Sequence, residues 1–72
     1  MKLTARIKGQ TLEIFNVQTG GIHRSHTLPP GEYSNIIAHG DNVSVTINRK
    51  YSTSSIRTIN MKTGSVVSEY NI

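Results

Sequence analysis

The sequence predicts an all-β protein of about seven short antiparallel strands, joined as meander hairpins into a sheet, a small barrel or a sandwich. The first observation is composition: Ser, Thr, Asn and Gly make up 28 of the 72 residues, which favours strands and turns over helix. The second is a nine-residue pattern that occurs twice. The third is that only short connections separate the apolar stretches, so neighbouring strands are expected to pair antiparallel.

The repeated pattern is a strand of alternating character that runs into Asn-x-x-Thr-Gly. It occupies residues 12–20 and again residues 56–64, a spacing of 44 positions. Asparagine opens turns because its side chain accepts a hydrogen bond from a backbone N–H two residues further on. Glycine supplies the positive φ that closes a longer hairpin loop. The pattern therefore predicts two hairpins of one design, each followed by a further strand.

Both copies resemble the I-x-V-W-D-x-x-T-G segment of WD40 and quinoprotein-type β-propeller blades, where the third strand turns into the fourth. Asn16 and Asn60 replace the usual Asp, and Phe15 and Ile59 replace the usual Trp. A repeat of about 40–45 residues is also typical of propeller blades. The resemblance implies one whole blade over residues 33–70 and the last three strands of another over residues 2–28, which is fewer than two blades.

The first 28 residues predict a three-strand meander. Residues 3, 5 and 7 are apolar and alternate with polar ones, which indicates a half-buried strand. Its outer face is cationic and consists of Lys2, Arg6 and Lys8. A tight turn at residues 8–10 leads into the first copy of the pattern. The strand at residues 21–28 is polar nearly throughout, so we expect it at a sheet edge.

The segment Pro29-Pro30-Gly31 breaks strand structure and divides the single domain of residues 1–72 into two parts. Residues 33–72 predict a four-strand, blade-like meander with strands at 33–38, 42–48, 55–61 and 65–70. The adjacent Ile36 and Ile37 indicate a strand that is buried on both faces. Alternation is clearest in the next strand, whose inward side chains are expected to be Val43, Val45 and Ile47.

The chain is small and has no disulfide or zinc-binding cysteine to stabilise it, because it contains no cysteine at all. A domain of this size buries only about 60% of the surface that its unfolded chain exposes. Its aromatic residues are one Phe and three Tyr, with no Trp. A thin, weakly apolar core of this kind is commonly supplemented by association with other copies, which predicts a homo-oligomer.

The net charge of +4 permits contact with nucleic acid or an acidic surface, but the cations form no block. No stretch approaches the roughly 18 apolar residues of a membrane span, so we expect no membrane contact. Residues 1–8 lack the apolar run of a signal peptide. We therefore expect synthesis in a cytoplasm without export by the general route, and incorporation into a virion stays open.

No catalytic, metal or cofactor site is recognisable in the sequence. His23 and His26 are three apart, which places them on opposite faces of a strand and disfavours a shared metal ion. No spacing pairs the four carboxylates for acid–base work, and no serine is singled out as a nucleophile. Neither a phosphate-binding loop nor a nucleotide fingerprint is present. We expect a protein that is not an enzyme and needs no cofactor.

The candidate binding residues are Arg49, Lys50 and Tyr51, at the tip of a polar hairpin loop. Two cations and an aromatic ring suit contact with phosphate and stacking on a base. Solvation alone also explains a polar hairpin tip, and this is the more common situation. If the fold brings them together, the cations of the first strand extend the same patch.

Two functions follow from these observations. The first is a non-enzymatic structural or interaction module that acts as a homo-oligomer, in which several copies complete a propeller or barrel and remove exposed edges. A cysteine-free chain rich in Ser, Thr and Asn fits an accessory or assembly protein of a virus or phage, and another protein is a further partner to consider. The alternative is a small basic β-barrel that binds single-stranded nucleic acid through the tip at residues 49–51.

Overall fold

The computed structural model describes residues 2–72 and confirms the all-β prediction. Two antiparallel sheets account for all seven strands, one with the order β1-β2-β3 and the other with the order β4-β5-β6-β7. We call them the three-stranded sheet and the four-stranded sheet. The strands are β1 (Leu3–Lys8), β2 (Thr11–Asn16), β3 (Ile22–Thr27), β4 (Glu32–His39), β5 (Asn42–Asn48), β6 (Ser55–Asn60) and β7 (Val66–Asn71).

The two sheets pack face to face and enclose one apolar core. Eight of its side chains are no more than 1% exposed: Leu12, Ile14, Leu28, Val43, Val45, Ile47, Ile59 and Met61. Half-buried residues of β1 and the ring of Tyr33 pack against this cluster. The predicted inward alternation of β5 is confirmed. Each sheet thus covers the inner face of the other sheet of the same chain.

Both hairpin turns have the predicted mechanism. The Asn16 Oδ1 accepts hydrogen bonds from the backbone N–H groups of Gln18 (2.8 Å) and Thr19 (3.3 Å). Asn60 repeats this arrangement with residues 62 and 63 at 2.9 and 3.1 Å. Gly20 and Gly64 close the turns with φ of 77° and 79°. The repeated sequence therefore produces two turns of the same geometry.

The repeat extends well beyond the nine-residue pattern. Every pairing between β2 and β3 recurs between β6 and β7 at positions 44 higher, including a register shift after Ile14 and again after Thr58. Every pairing between β1 and β2 recurs between β5 and β6, with β5 offset by 39 because its loop to β6 is five residues longer. The unit β1-β2-β3 is therefore repeated as β5-β6-β7, and β4 is an additional strand.

The two units use opposite faces to form the core. We define the asparagine face of each unit as the one that carries the turn asparagine, with Leu12 and Ile14 in the first unit and Ile56 and Thr58 in the second. The reverse face carries Phe15 in the first unit and Ile59 in the second. Leu12, Ile14 and Ile59 are all fully buried. The asparagine face of the three-stranded sheet therefore packs on the reverse face of the four-stranded sheet, so the units stack front to back.

The prediction that Ile36 and Ile37 lie in a strand buried on both faces is wrong. Their exposed fractions are 38% and 57%. The register between β4 and β5 shifts between Ser34 and Ile37, and Asn35 has a positive φ of 49°. An extra residue of this kind turns adjacent side chains away from the regular alternation. Because β4 is also an edge strand, these isoleucines reach solvent.

The edge strands β3 and β7 are both highly exposed, but only β3 was predicted to lie at an edge. The strand predicted at residues 21–28 does lie at an edge, as β3. The last strand, β7, is an edge on which every residue is exposed. Because β1 contacts β4 and His26 on β3 reaches Arg57 on β6, β7 lies beyond the covering sheet. Its exposed apolar residues include Val66, Val67 and Tyr70.

Candidate functional site

The loop between β5 and β6 holds the three predicted binding residues, but it does not present them together. Arg49 turns back toward the sheet, where its Nη1 donates to the Thr53 carbonyl (3.0 Å) and to Ser55 Oγ (2.9 Å). Its Nη2 lies 3.6 Å from a carboxylate oxygen of Glu69 on β7. Arg49 thus closes the base of the loop and is occupied by contacts within the chain.

Lys50 and Tyr51 stay at the tip and face solvent. Tyr51 is 91% exposed, and the Lys50 Nζ lies 5.5 Å from the centroid of its ring. Pro29, Pro30 and Gly31 form the other side of a shallow cleft beside this pair. A cation over an aromatic ring suits an anionic, planar ligand. Binding of single-stranded nucleic acid stays a prediction, and it now depends on Lys50 and Tyr51.

A charged cluster that the sequence did not predict joins the two sheets. The Arg57 Nη1 lies 3.1 Å from His26 Nε2 on β3, while its Nε donates to Glu69 Oε1 at 3.1 Å. Ser55 is 1% exposed and donates to the other Glu69 oxygen at 3.1 Å. With Arg49, the cluster places two guanidinium groups on one carboxylate. No sequence spacing signals it, because its members come from three strands and a loop.

The cluster shifts two pKa values. Burial lowers the pKa of His26, and the nearby Arg57 charge lowers it further, against a smaller opposing effect of Glu69. Burial disfavours ionisation of Glu69, but its hydrogen bond to Arg57 and the charges of Arg57 and Arg49 outweigh this and lower its pKa. The fold therefore favours neutral His26, which accepts a hydrogen bond from Arg57. It also favours ionised Glu69.

Acidification is expected to destabilise the protein through this cluster. Because the folded chain lowers the His26 pKa below its ordinary 6.5, the unfolded chain binds the proton more readily. Stability is full above pH 6.5 and falls as the pH drops toward the folded-state pKa. Glu69 adds a second loss below pH 4.5, its ordinary pKa. Urea unfolding midpoints measured across this range check the first step.

The matched control is His26→Gln, which keeps a hydrogen-bond acceptor for Arg57 and does not titrate. We expect the loss of stability just below pH 6.5 to be smaller in this variant than in the parent chain. An unchanged pH dependence assigns the effect to other groups and contradicts the prediction.

His26 and His39 lie on different sheets, on β3 and β4. His26 faces the four-stranded sheet, while His39 lies on the outer face of that sheet, 3.1 Å from Ser44 Oγ. Ser44 is in turn 2.9 Å from Thr58 Oγ1. Among residues 2–72, no group of three or more His, Cys, Asp or Glu side chains is arranged to hold a metal ion. That part of the chain also contains no helix long and apolar enough to cross a membrane.

The outer face of the three-stranded sheet is its reverse face. One of its predicted cations, Arg6, is bound locally. The Arg6 Nε donates to Glu13 Oε1 at 3.0 Å, and its guanidinium lies 4.8 Å from the centroid of the Phe15 ring. Val17 and Ile22 beside the ring are 47% and 49% exposed. This face therefore combines one ion pair with an exposed apolar patch.

The outer face of the four-stranded sheet is its asparagine face and is shaped as a shallow groove. Ile37, Ile56 and Tyr70 provide apolar walls, and Ser44 and Thr46 form the polar floor. Tyr70 is 56% exposed. At the end of this face, Ile72 is 63% exposed, although its N–H is bonded to the Ser54 carbonyl at 2.9 Å. The two outer faces of the protein are thus different surfaces, and each carries exposed apolar side chains.

Comparison with known proteins adds no relative: no family model, no curated protein and no solved structure matches this chain. The resemblance to propeller blades therefore stays a prediction that rests on the two copies of the repeated pattern.

Proposed function

We propose that this protein is a non-enzymatic structural or interaction module that acts as a homo-oligomer, in which sheets of successive copies continue one propeller-like stack. The observation that carries the proposal is the front-to-back packing of the two repeated units. In a symmetric sandwich the units would meet through the same face and leave two identical outer surfaces. Front-to-back packing instead leaves one asparagine face and one reverse face exposed to solvent. These are the same two kinds of face that pack against each other inside the chain.

The distribution of exposed apolar residues supports this assembly. Ile37, Tyr70 and Ile72 are more than half exposed on the free asparagine face, at 57%, 56% and 63%. Ile22 and Val17, on the free reverse face and in the turn beside it, are about half exposed. An interface between two unlike surfaces is heterologous, so repeated association produces a closed ring or an open stack. A ring of several copies also completes the blade set that one chain leaves unfinished.

The interface between copies is expected to be wetter and weaker than the core. In the four-stranded sheet, the reverse face buries Val43, Val45 and Ile47 completely. The equivalent positions of the three-stranded sheet are occupied by polar or charged residues, namely Thr4, Arg6 and Lys8. Exposed charges of this kind weaken association and make it depend on salt. Assembly is therefore expected to be reversible and to depend on protein concentration.

The biological setting of such a module is part of the proposal. Its composition, rich in Ser, Thr and Asn and free of cysteine, suits an accessory or assembly protein of a virus or phage. In that setting the oligomer presents many identical loop tips, each with Lys50 and Tyr51, on one ring or stack. Repetition of a weak contact of this sort raises its overall strength through multivalency.

Light scattering coupled to size-exclusion chromatography, from low to high micromolar protein, tests the proposal. We expect the mass to rise with concentration to a multiple of the 7.9 kDa chain. Sedimentation velocity on the same samples separates a closed ring, which reaches a limiting size, from an open stack, which continues to grow. A compact 7.9 kDa monomer throughout the range contradicts the proposal.

A further inference from the structure

We propose that Tyr70 of one copy contacts Glu13 of the next, so that the contact between copies repeats the packing inside the chain. This inference rests on the proposed self-assembly and identifies its surfaces. The internal contact between the units is the template. There, His26 on β3 approaches Arg57 on β6, with Nε2 and Nη1 3.1 Å apart.

The repeat defines the equivalent pair. The residue equivalent to His26 in the second unit is Tyr70, since Leu12 pairs with His26 as Ile56 pairs with Tyr70. The residue equivalent to Arg57 in the first unit is Glu13. When a second copy continues the stack, its Glu13 takes the place that Arg57 has inside the chain.

The chemistry of the new pair is complementary. A tyrosine hydroxyl donates well to an ionised carboxylate, and such charge-assisted bonds are about twice as strong as neutral ones. The Arg6 bond uses one Glu13 oxygen, and a carboxylate has about four acceptor positions. The equivalent internal pair needs neutral His26 as the acceptor for Arg57. Both pairs therefore join one donor and one acceptor, with the direction of donation reversed.

Neighbouring positions agree with the same arrangement. Leu28 is 1% exposed under the covering sheet, while its equivalent Ile72 is 63% exposed. On the other surface, Phe15 is the equivalent of the fully buried Ile59. The groove beside Tyr70, with Ile37 and Ile56 as its apolar walls, offers Phe15 of the next copy an apolar surface. The ring and the groove are thus the apolar partners that flank the polar pair.

The hydrogen bond from the Arg24 side chain to the backbone marks a further position to compare, because the equivalent residue has a shorter side chain. Arg24 Nε donates to the Lys62 carbonyl at 2.9 Å, and its side chain passes over Gly64, where a Cβ would lie 3.2 Å from its Cδ. The equivalents of Arg24, Lys62 and Gly64 are Ser68, Gln18 and Gly20, respectively. A Cβ added to Gly20 would have nothing within 4 Å, so this turn is open to an approaching chain. The short Ser68 side chain leaves more space here than arginine leaves inside the protein.

Cross-linking between cysteine variants tests the pair, because the natural chain contains no cysteine. Glu13→Cys and Tyr70→Cys are prepared separately, mixed at a concentration where the parent chain is assembled, and treated with a short bismaleimide. We expect a cross-linked dimer in the mixture and little product from either variant alone. The double variant should give a ladder of covalent multimers, as a heterologous contact requires.

Three results overturn the inference. Cross-linking of either single variant with itself indicates two-fold contacts through one face. Failure to cross-link in a mixture whose measured mass shows that the two variants are themselves assembled places the contact elsewhere and leaves the proposed function standing. A monomeric parent chain removes both proposals. These outcomes are separable because the mass of the parent chain is measured independently.

A double-mutant cycle measures the pair without cysteine. Tyr70→Phe removes the donor and Glu13→Ala removes the acceptor, and we expect each to weaken association about tenfold. The double variant should be little weaker than either single variant, because both changes remove one interaction. Ser52→Ala, which also removes an exposed hydroxyl but lies in the loop outside the two faces, is the control and should assemble as the parent chain does. Additive losses overturn the pair.

Discussion

Replacing Leu28 with alanine is expected to lower the free energy of unfolding by about 2–5 kcal/mol, the usual range for a fully buried leucine. Leu28 is 1% exposed and belongs to the cluster between the two sheets. The loss combines the transfer of the removed methyl groups with the cavity that rigid neighbours leave behind. Domains are commonly stable by only about 0.05–0.15 kcal/mol per residue, so this loss is a large share of the total.

Ile72→Ala is the matched control, because Ile72 is the repeat equivalent of Leu28. Each residue donates its N–H to an equivalent carbonyl, that of Gln10 at 2.8 Å or of Ser54 at 2.9 Å. Since Ile72 is 63% exposed, its truncation in the monomeric chain should change stability by about 0.5 kcal/mol or less. Chemical denaturation of both variants at low protein concentration measures the difference. If both variants lose the same free energy of unfolding, Leu28 is not covered and Ile72 free in the way that the structure shows.

The front-to-back packing has little signal in the sequence, because both faces of the first copy carry bulky apolar residues. Its asparagine face holds Leu12 and Ile14, and its reverse face holds Phe15 and Val17. The second copy keeps an apolar pair on the reverse face, and its asparagine face has a threonine at the position equivalent to Ile14. Alternation within a single strand does not contain this information, because it shows which side chains share a face and not how two sheets stack.

Other features depend on the three-dimensional arrangement and had no local signal. The repeated turns were predicted because Asn16 and Asn60 act within four residues of their own position. The contacts of Arg57 with His26 and of Arg49 with Glu69 span 31 and 20 positions. The first forms only once the two sheets pack, and the second only once β7 pairs with β6. The second contact turned Arg49 from a candidate ligand contact into a support for its loop. It also left Lys50 and Tyr51 as the accessible part of the candidate site.

Replacing Gly31 with alanine is expected to cost about 2–3 kcal/mol, although the residue lies in a surface connection. Gly31 has a φ of +153°, and a Cβ there would lie 2.6 Å from the Asn48 carbonyl oxygen. The obstacle is backbone, so no side-chain rotation relieves it. Asn48 also pairs with Glu32 at the start of β4, so the displaced chain strains the pairing of β4 with β5. Thermal or urea unfolding measures the loss.

Gly21→Ala provides the contrast, because a Cβ at Gly21 would meet Thr19 Oγ1 at 3.5 Å, an ordinary contact. We expect a change of about 0.5 kcal/mol or less. The comparison separates the general cost of removing a glycine from the specific approach of two backbones at Gly31. Because Gly31 lies in the connection between β3 and β4, the strain acts where one sheet passes to the other. If Gly31→Ala is as stable as Gly21→Ala, the two backbones do not meet as closely at this connection as the structure shows.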